Sequence, residues 1–126
     1  MKIIATDNAP GAIGPYSQAI TAHGLVYTSG QIPIDPATGE IVSGGIEAQA
    51  RQVFENIGAI LDAAGSSLDR VIKTTCFLAD MGDFQTFNEI YAAYIKRCPA
   101  RSCVAVKTLP KNVLVEVEVI ADTNEE

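Results

Sequence analysis

Four side chains of this 126-residue chain have types and spacings that suit chemistry: Arg101, Cys103, Glu116 and Glu118. Arg101 and Cys103 stand two apart in Pro99-Ala-Arg-Ser-Cys-Val-Ala-Val106, which reads as a short strand. Residues two apart on a strand share a face. Arg101, Cys103 and Ala105 therefore point one way, while Ser102, Val104 and Val106 form a mostly apolar face that suits a core. The glutamates lie in Val113–Ala121, whose alternation places Val113, Val115, Val117, Val119 and Ala121 on an apolar face and Leu114, Glu116, Glu118 and Ile120 on the other. Hairpin pairing through Lys107–Asn112 would bring Cys103 near Glu116 or Glu118 and Arg101 near Glu118 or a residue beyond it, with the Arg and both Glu on one sheet face.

Two uses of that arrangement stay open. Arg101 and Glu118 can form a cross-strand ion pair that serves structure. Alternatively one glutamate pairs locally and the guanidinium keeps a free fork for a ligand carboxylate, the group it fits bidentately. The other glutamate could then hold or activate a water. Cys103 is by itself a small buried hydrophobe. His23 is the only histidine and is remote in sequence, so a Cys–His nucleophile is poorly supported. Ser29 has no GxSxG elbow, and Gly11 and Gly14 do not make a dinucleotide loop.

Other positions carry weaker signals. Tyr16 ends the turn-rich loop Asn8-Ala-Pro-Gly-Ala-Ile-Gly-Pro-Tyr16, where loop packing would account for it. Ser29-Gly30-Gln31 ends a strand, where backbone N–H groups are free to meet a ligand. Asn88 lies in the first turns of a helix, a place where asparagine is usually solvated. The Phe and Tyr stripe of that helix reads as core.

The elements that must position these residues follow from periodicity and punctuation. Residues 2–5 read as an opening strand, and Ser17–Ala22 with Leu25–Ser29 as an antiparallel hairpin turning at His23-Gly24. A Pro- and Gly-rich loop spans 30–39. Ile46, Ala50, Val53, Phe54, Ile57, Ile60, Leu61 and Ala64 make one helical stripe over 46–64, with Gly65 as its stop. Val71–Ala79 is a strand, Asp83 an N-cap, and Phe84–Lys96 a second helix ended by Cys98-Pro99. Strands 101–106 and 113–121 follow, and 122–126 is a polar tail expected to fray.

The predicted order is β, ββ, α, β, α, ββ. Right-handed crossovers put both helices on one face of one sheet and leave the other face bare. A bare apolar sheet face predicts a homo-oligomer with sheets facing one another.

Composition narrows the class. The chain is 48% hydrophobic and 19% charged, which is globular, and its length suits a single domain over 1–126. The net charge of −6 and nine dispersed Lys and Arg argue against nucleic acid. The cysteines Cys76, Cys98 and Cys103 have no CxxC spacing, so zinc is not indicated. No apolar run approaches the ~20 residues of a membrane span, and there is no signal-peptide core. The expectation is a soluble, cytoplasmic protein with free thiols and no membrane association.

Four separated segments, Asn8–Tyr16, Thr28-Ser-Gly-Gln-Ile-Pro33, Pro99-Ala-Arg-Ser-Cys-Val104 and Leu109-Pro-Lys-Asn-Val-Leu-Val-Glu-Val-Glu118, closely resemble the RidA/YjgF family over nearly the whole chain. The resemblance implies a chorismate-mutase-like α+β domain, a mixed six-stranded sheet with two helices on one side. It implies a homotrimer built as a barrel, with sites between subunits. It also implies 2-iminobutanoate/2-iminopropanoate deaminase activity, hydrolysing 2-imino acids to 2-oxo acids and ammonia without metal or cofactor. By the same resemblance Arg101 would clamp the carboxylate and Glu116 would position water. Tyr16, Ser29, Gly30 and Asn88 would line the pocket, Cys103 would give mainly its backbone, and Glu118 would be structural. The segment Lys96–Pro99 is shorter than in the family and Cys98 stands where an aromatic is common, which alters the expected rim of the cleft. Two other functions remain in view: a non-catalytic binder of 2-oxo acids with a regulatory role, and an RNA-acting translation inhibitor.

Overall fold

The computed structural model describes residues 1–123. Its strands are β1 (Lys2–Ile4), β2 (Ala19–Ala22), β3 (Leu25–Thr28), β4 (Val71–Leu78), β5 (Ala100–Ala105) and β6 (Val115–Asp122), and its helices are α1 (Ile46–Ala63) and α2 (Phe84–Tyr94). The architecture is α+β, one six-stranded sheet in the order β1-β2-β3-β6-β4-β5. Every pairing is antiparallel except β4 with β5, which is parallel and makes the sheet mixed.

Local chemistry explains the boundaries. His23 and Gly24 both have positive φ, 55° and 77°, which makes the two-residue β2–β3 turn a type I′ connection matched to strand twist. Gly65 ends α1 at φ 79°. Ser66 N–H donates to the Leu61 carbonyl at 2.8 Å and Gly65 N–H to Asp62 at 3.1 Å, the paired bonds of a Schellman stop. The N-cap expected at Asp83 is not made. The Asp80 carboxylate instead accepts from Gly82 N–H at 2.7 Å and opens a 3₁₀ turn, Met81–Asp83, that leads into α2. The last turn expected at Ile95 and Lys96 is absent, because Ile95 is already extended and Cys98 turns the chain at φ 51°.

Both helices lie on one face of the sheet, as the crossover argument requires. Phe54 of α1 stacks on Phe87 and Tyr94 of α2, with ring centroids 6.0 and 5.4 Å apart. Beneath them Val26, Cys76, Leu78, Val115, Val117 and Ala121 are fully buried. Buried Asn56 donates to the carbonyls of Ile32 and Ile34, which pins the 30–41 loop against α1. The opposite sheet face stays bare. Ile3, Tyr27 and Val104 on it are 62%, 42% and 48% exposed.

Two expectations are overturned here. Strands β5 and β6 do not form a hairpin: β6 inserts between β3 and β4, and β5 takes the outer edge beside β4. Consequently Thr74, Cys76 and Leu78 register with Arg101, Cys103 and Ala105. Thr74, Cys76 and Leu78 are buried under the helices, so Arg101, Cys103 and Ala105 face that layer too, while Val104 points to the bare face. The face expected to be core is the exposed one. The C-terminal segment also differs at its start: Asp122 ends β6, and Thr123 bonds the Gly24 carbonyl. Residues 124–126 of the expected polar tail lie outside the described residues.

Candidate functional site

The site residues fall into two groups on opposite sides of the sheet. Glu116 registers with Phe77 and Glu118 with Thr75, on the face away from the helices. Arg101 and Cys103 face the helices. The expected gathering of Arg101, Glu116 and Glu118 on one face does not occur within the chain, because it depended on the β5–β6 hairpin.

The Glu116 group is built from backbone. Gln31 extends the sheet beside β6, its N–H donating to the Val117 carbonyl at 2.8 Å and its carbonyl accepting from Val117 N–H at 3.2 Å. That bridge lays Gly30 against the Glu116 side chain. A Cβ at Gly30 would come within 2.9 Å of Glu116 Cδ, so only glycine leaves room for the carboxylate. Ser29 donates its hydroxyl to the Ser17 carbonyl at 2.6 Å and its N–H to Gln18 at 2.9 Å. The Gln18 side chain pins the Pro- and Gly-rich loop, donating to the carbonyls of Thr6 and Pro10 at 3.0 and 2.8 Å. Tyr16 closes that loop, its phenol oxygen accepting from Ile13 N–H at 3.4 Å. Tyr16, Gly30, Gln31 and Ile13 line a small hollow of about 40 Å³.

Burial raises the Glu116 pKa above the usual carboxylate value, and the neighbouring Glu118 charge raises it further. A glutamate so placed is a better proton acceptor near neutral pH than an ordinary one.

The Arg101 group is built from side chains. Arg101 Nη1 donates to Asn88 Oδ1 at 2.7 Å. Its guanidinium carbon lies 4.8 Å from the Tyr91 ring centroid and 5.5 Å from that of Phe84. Asn88, expected to be solvated, is thus the guanidinium's partner. The ion pair with Glu118 is not formed, and the one ion pair among the described residues joins Arg51 and Glu47. Cys103 lies against Cys76. Burial pushes the Cys103 thiol up, against the pull of Arg101, and pushes Cys76 up to about 12. Both are neutral thiols at pH 7 and neither is a ready nucleophile. Val106 N–H donates to the Leu78 carbonyl at 2.9 Å. Successive residues of a strand turn their N–H groups to alternate edges, so those of Cys103 and Arg101 point to the open edge of β5. That geometry makes the Cys103 backbone, rather than its sulfur, the available group.

Tyr91, Phe84 and Thr74 are part of this group, and sequence reasoning placed the two aromatics in the core. The signal that could have found them is the i, i+3 spacing of Asn88 and Tyr91 on one helix face. No three His, Cys, Asp or Glu side chains among the described residues converge as metal ligands. No described helix is long and apolar enough to cross a membrane.

Comparison with known proteins places these features in context. The model of the endoribonuclease L-PSP family matches residues 6–123. A Lactococcus lactis protein whose name assigns it to regulation, AldR, is 58% identical over 123 residues, covering 97% of this chain and 98% of its own. The human 2-iminobutanoate/2-iminopropanoate deaminase is 50% identical over 121 residues, covering 95% of this chain and 88% of its own. The crystal structure of Escherichia coli TdcF with bound serine superposes with a TM-score of 0.93 at 48% identity, covering 98% of this chain and all of that one.

Proposed function

Because the chain belongs to the endoribonuclease L-PSP family, the YjgF/RidA proteins, we propose that it is a 2-iminobutanoate/2-iminopropanoate deaminase. The observation that carries this reading is the Arg101 guanidinium. Asn88 occupies one nitrogen and the Tyr91 and Phe84 rings lie against the guanidinium, which leaves the remaining N–H donors for a ligand. A 2-imino acid brings the carboxylate that such a fork fits. Human and Salmonella typhimurium relatives named as this deaminase, each about half identical to the chain, add weight.

The chemistry asks little of a protein. Water adds to the electrophilic C=N carbon, the carbinolamine collapses, and the products are a 2-oxo acid and ammonia. In this reading Arg101 orients the substrate through its carboxylate. Glu116, its pKa raised by burial, accepts a proton from the attacking water and returns it to the departing nitrogen. Tyr16, Ser29 and Gly30 form the wall behind that water, and the Cys103 N–H at the open edge adds a donor. Glu118 keeps Glu116 basic by repulsion and is otherwise a sheet residue.

Arg101 and Glu116 lie on opposite sheet faces, so the reading requires a second copy. The open β5 edge of one copy would meet the Glu116 group of its neighbour, with bare sheet faces turned inward in a homotrimer. This would cover Ile3, Tyr27 and Val104.

The test is direct. A serine or threonine dehydratase generates the imine, semicarbazide traps what remains, and 2-oxo acid release is followed over time. Acceleration by the protein is expected, with Arg101→Ala lowering kcat/KM by about 10- to 150-fold. No acceleration would reject the reading.

A second reading has its own support in the AldR name and the serine-bound TdcF structure. The same cleft could bind 2-oxo acids or related carboxylates as a regulatory signal. It predicts saturable 2-oxobutanoate binding, lost in Arg101→Ala, without turnover. Action on RNA is disfavoured by the net charge of −6.

A further inference from the structure

We infer that Tyr91 is a positioning residue for Arg101, with Thr74 as its anchor; the functional consequence rests on the reading of Arg101 as the carboxylate clamp. Thr74 and Arg101 are register partners on β4 and β5, and both side chains reach up to α2. They meet the same tyrosine. The Thr74 hydroxyl bonds the Tyr91 phenol oxygen at 2.8 Å in a buried contact. The guanidinium carbon of Arg101 lies over the Tyr91 ring at 4.8 Å. The ring is also packed by Phe54, edge-on at 5.7 Å and 81°.

The ring therefore has one fixed plane. A guanidinium lying on a fixed ring loses freedom to tilt. Asn88, three residues earlier on α2, takes Nη1 and removes rotation within the plane. Together the two contacts aim the unused edge of the fork in one direction. A planar carboxylate approaching in that plane meets two donors at once, whereas a compact anion gains from only one. Tyr91 thereby sets selectivity for α-carboxylates without touching them. The hydroxyl serves to hold the ring, and the ring serves to hold the guanidinium.

The experiment compares full-length wild type, Tyr91→Phe and Tyr91→Leu by 2-oxobutanoate calorimetry, steady-state turnover and the NMR resonances of the Arg101 side chain. Tyr91→Phe keeps the ring and its packing but loses the bond to Thr74, and its Kd is expected to rise by no more than about 3-fold. Tyr91→Leu removes the ring, and Kd and KM are expected to rise roughly 3- to 10-fold with kcat little changed. The Arg101 protons should be shifted upfield by the ring currents in wild type and Tyr91→Phe, and lose most of that shift in Tyr91→Leu, where only the more distant Phe84 ring remains. Equal affinity in Tyr91→Leu and wild type would overturn the inference, as would an equal loss in both variants. Should wild type neither bind nor turn over, the functional reading falls alone, and the seat is judged by the Arg101 shift. Should Tyr91→Leu not fold, an Arg101 spectrum without a ring-current shift in wild type would still overturn it.

Discussion

Arg101 and Glu116 leave opposite faces of one sheet. Arg101 rises beside Thr74 toward α2, and Glu116 projects beside Phe77 from the side that no helix covers. Side chains so divided cannot close on one small ligand within a single copy. A deaminase using both must draw them from two copies.

Mixed assemblies test this. Arg101→Ala and Glu116→Gln, each nearly inactive alone, should regain activity when unfolded together and reassembled. With random mixing about one interface in four pairs two intact groups, so about a quarter of wild-type activity is the ceiling. Recovery no greater than the sum of the two separate variants would reject the shared site.

Gly30→Ala should separate stability from function. The added Cβ meets the end of the Glu116 side chain, which can swing aside at little cost to the fold. If Glu116 positions the water as proposed, its displaced carboxylate no longer does so, and a misplacement near 1 Å can cost on the order of 100-fold in rate. Thermal melting close to wild type with kcat down about 10- to 100-fold is expected.

The pH profile should report Glu116. Burial first and Glu118 second raise its pKa above 4.5, so the acid limb of kcat/KM should lie above that value. Glu118→Gln removes the repulsion and should move the limb to lower pH. Stability carries the opposite sign. A carboxyl whose folded pKa exceeds its unfolded one binds more protons when folded. Its contribution to stability therefore falls as pH rises from 4.5 through the folded value. An acid limb unmoved in Glu118→Gln would remove Glu116 from the role of base.

Phe54 should dominate the helix layer. It is fully buried and meets Phe87, Tyr91 and Tyr94. Phe54→Ala should cost about 3–5 kcal/mol in chemical denaturation, more than any change on the bare sheet face. A loss under about 1 kcal/mol would mean the helix layer collapses to fill the space.

Much of this was legible in sequence where one physical rule acted alone. The valine run of β6 alternates without interruption, and its buried face is the expected one. The α1 stripe and the Gly65 stop are local and came through intact. What failed at the level of the sheet depended on distant contacts. Adjacency of β5 and β6 in the chain suggested a hairpin, but the crossover through α2 laid β5 parallel to β4 and left β6 free to insert. The facing of β4 was hidden by a bulge between Val71 and Lys73, which shifts its alternation so that Thr74 turns inward. Without that register nothing links Thr74 to Tyr91 or Tyr91 to Arg101. The two acids before α2 look alike as caps, and only the 3₁₀ turn separates Asp80 from Asp83.

The strand that carries Arg101 has a neighbour on one side only. Its outward N–H and carbonyl groups, with Val104 exposed beside them, form a template on which any extended chain can add. A solitary copy is thus both inactive in the reading above and adhesive. Solubility and catalysis become properties of the same contact, and dilution or a weakened interface would release them together as aggregation.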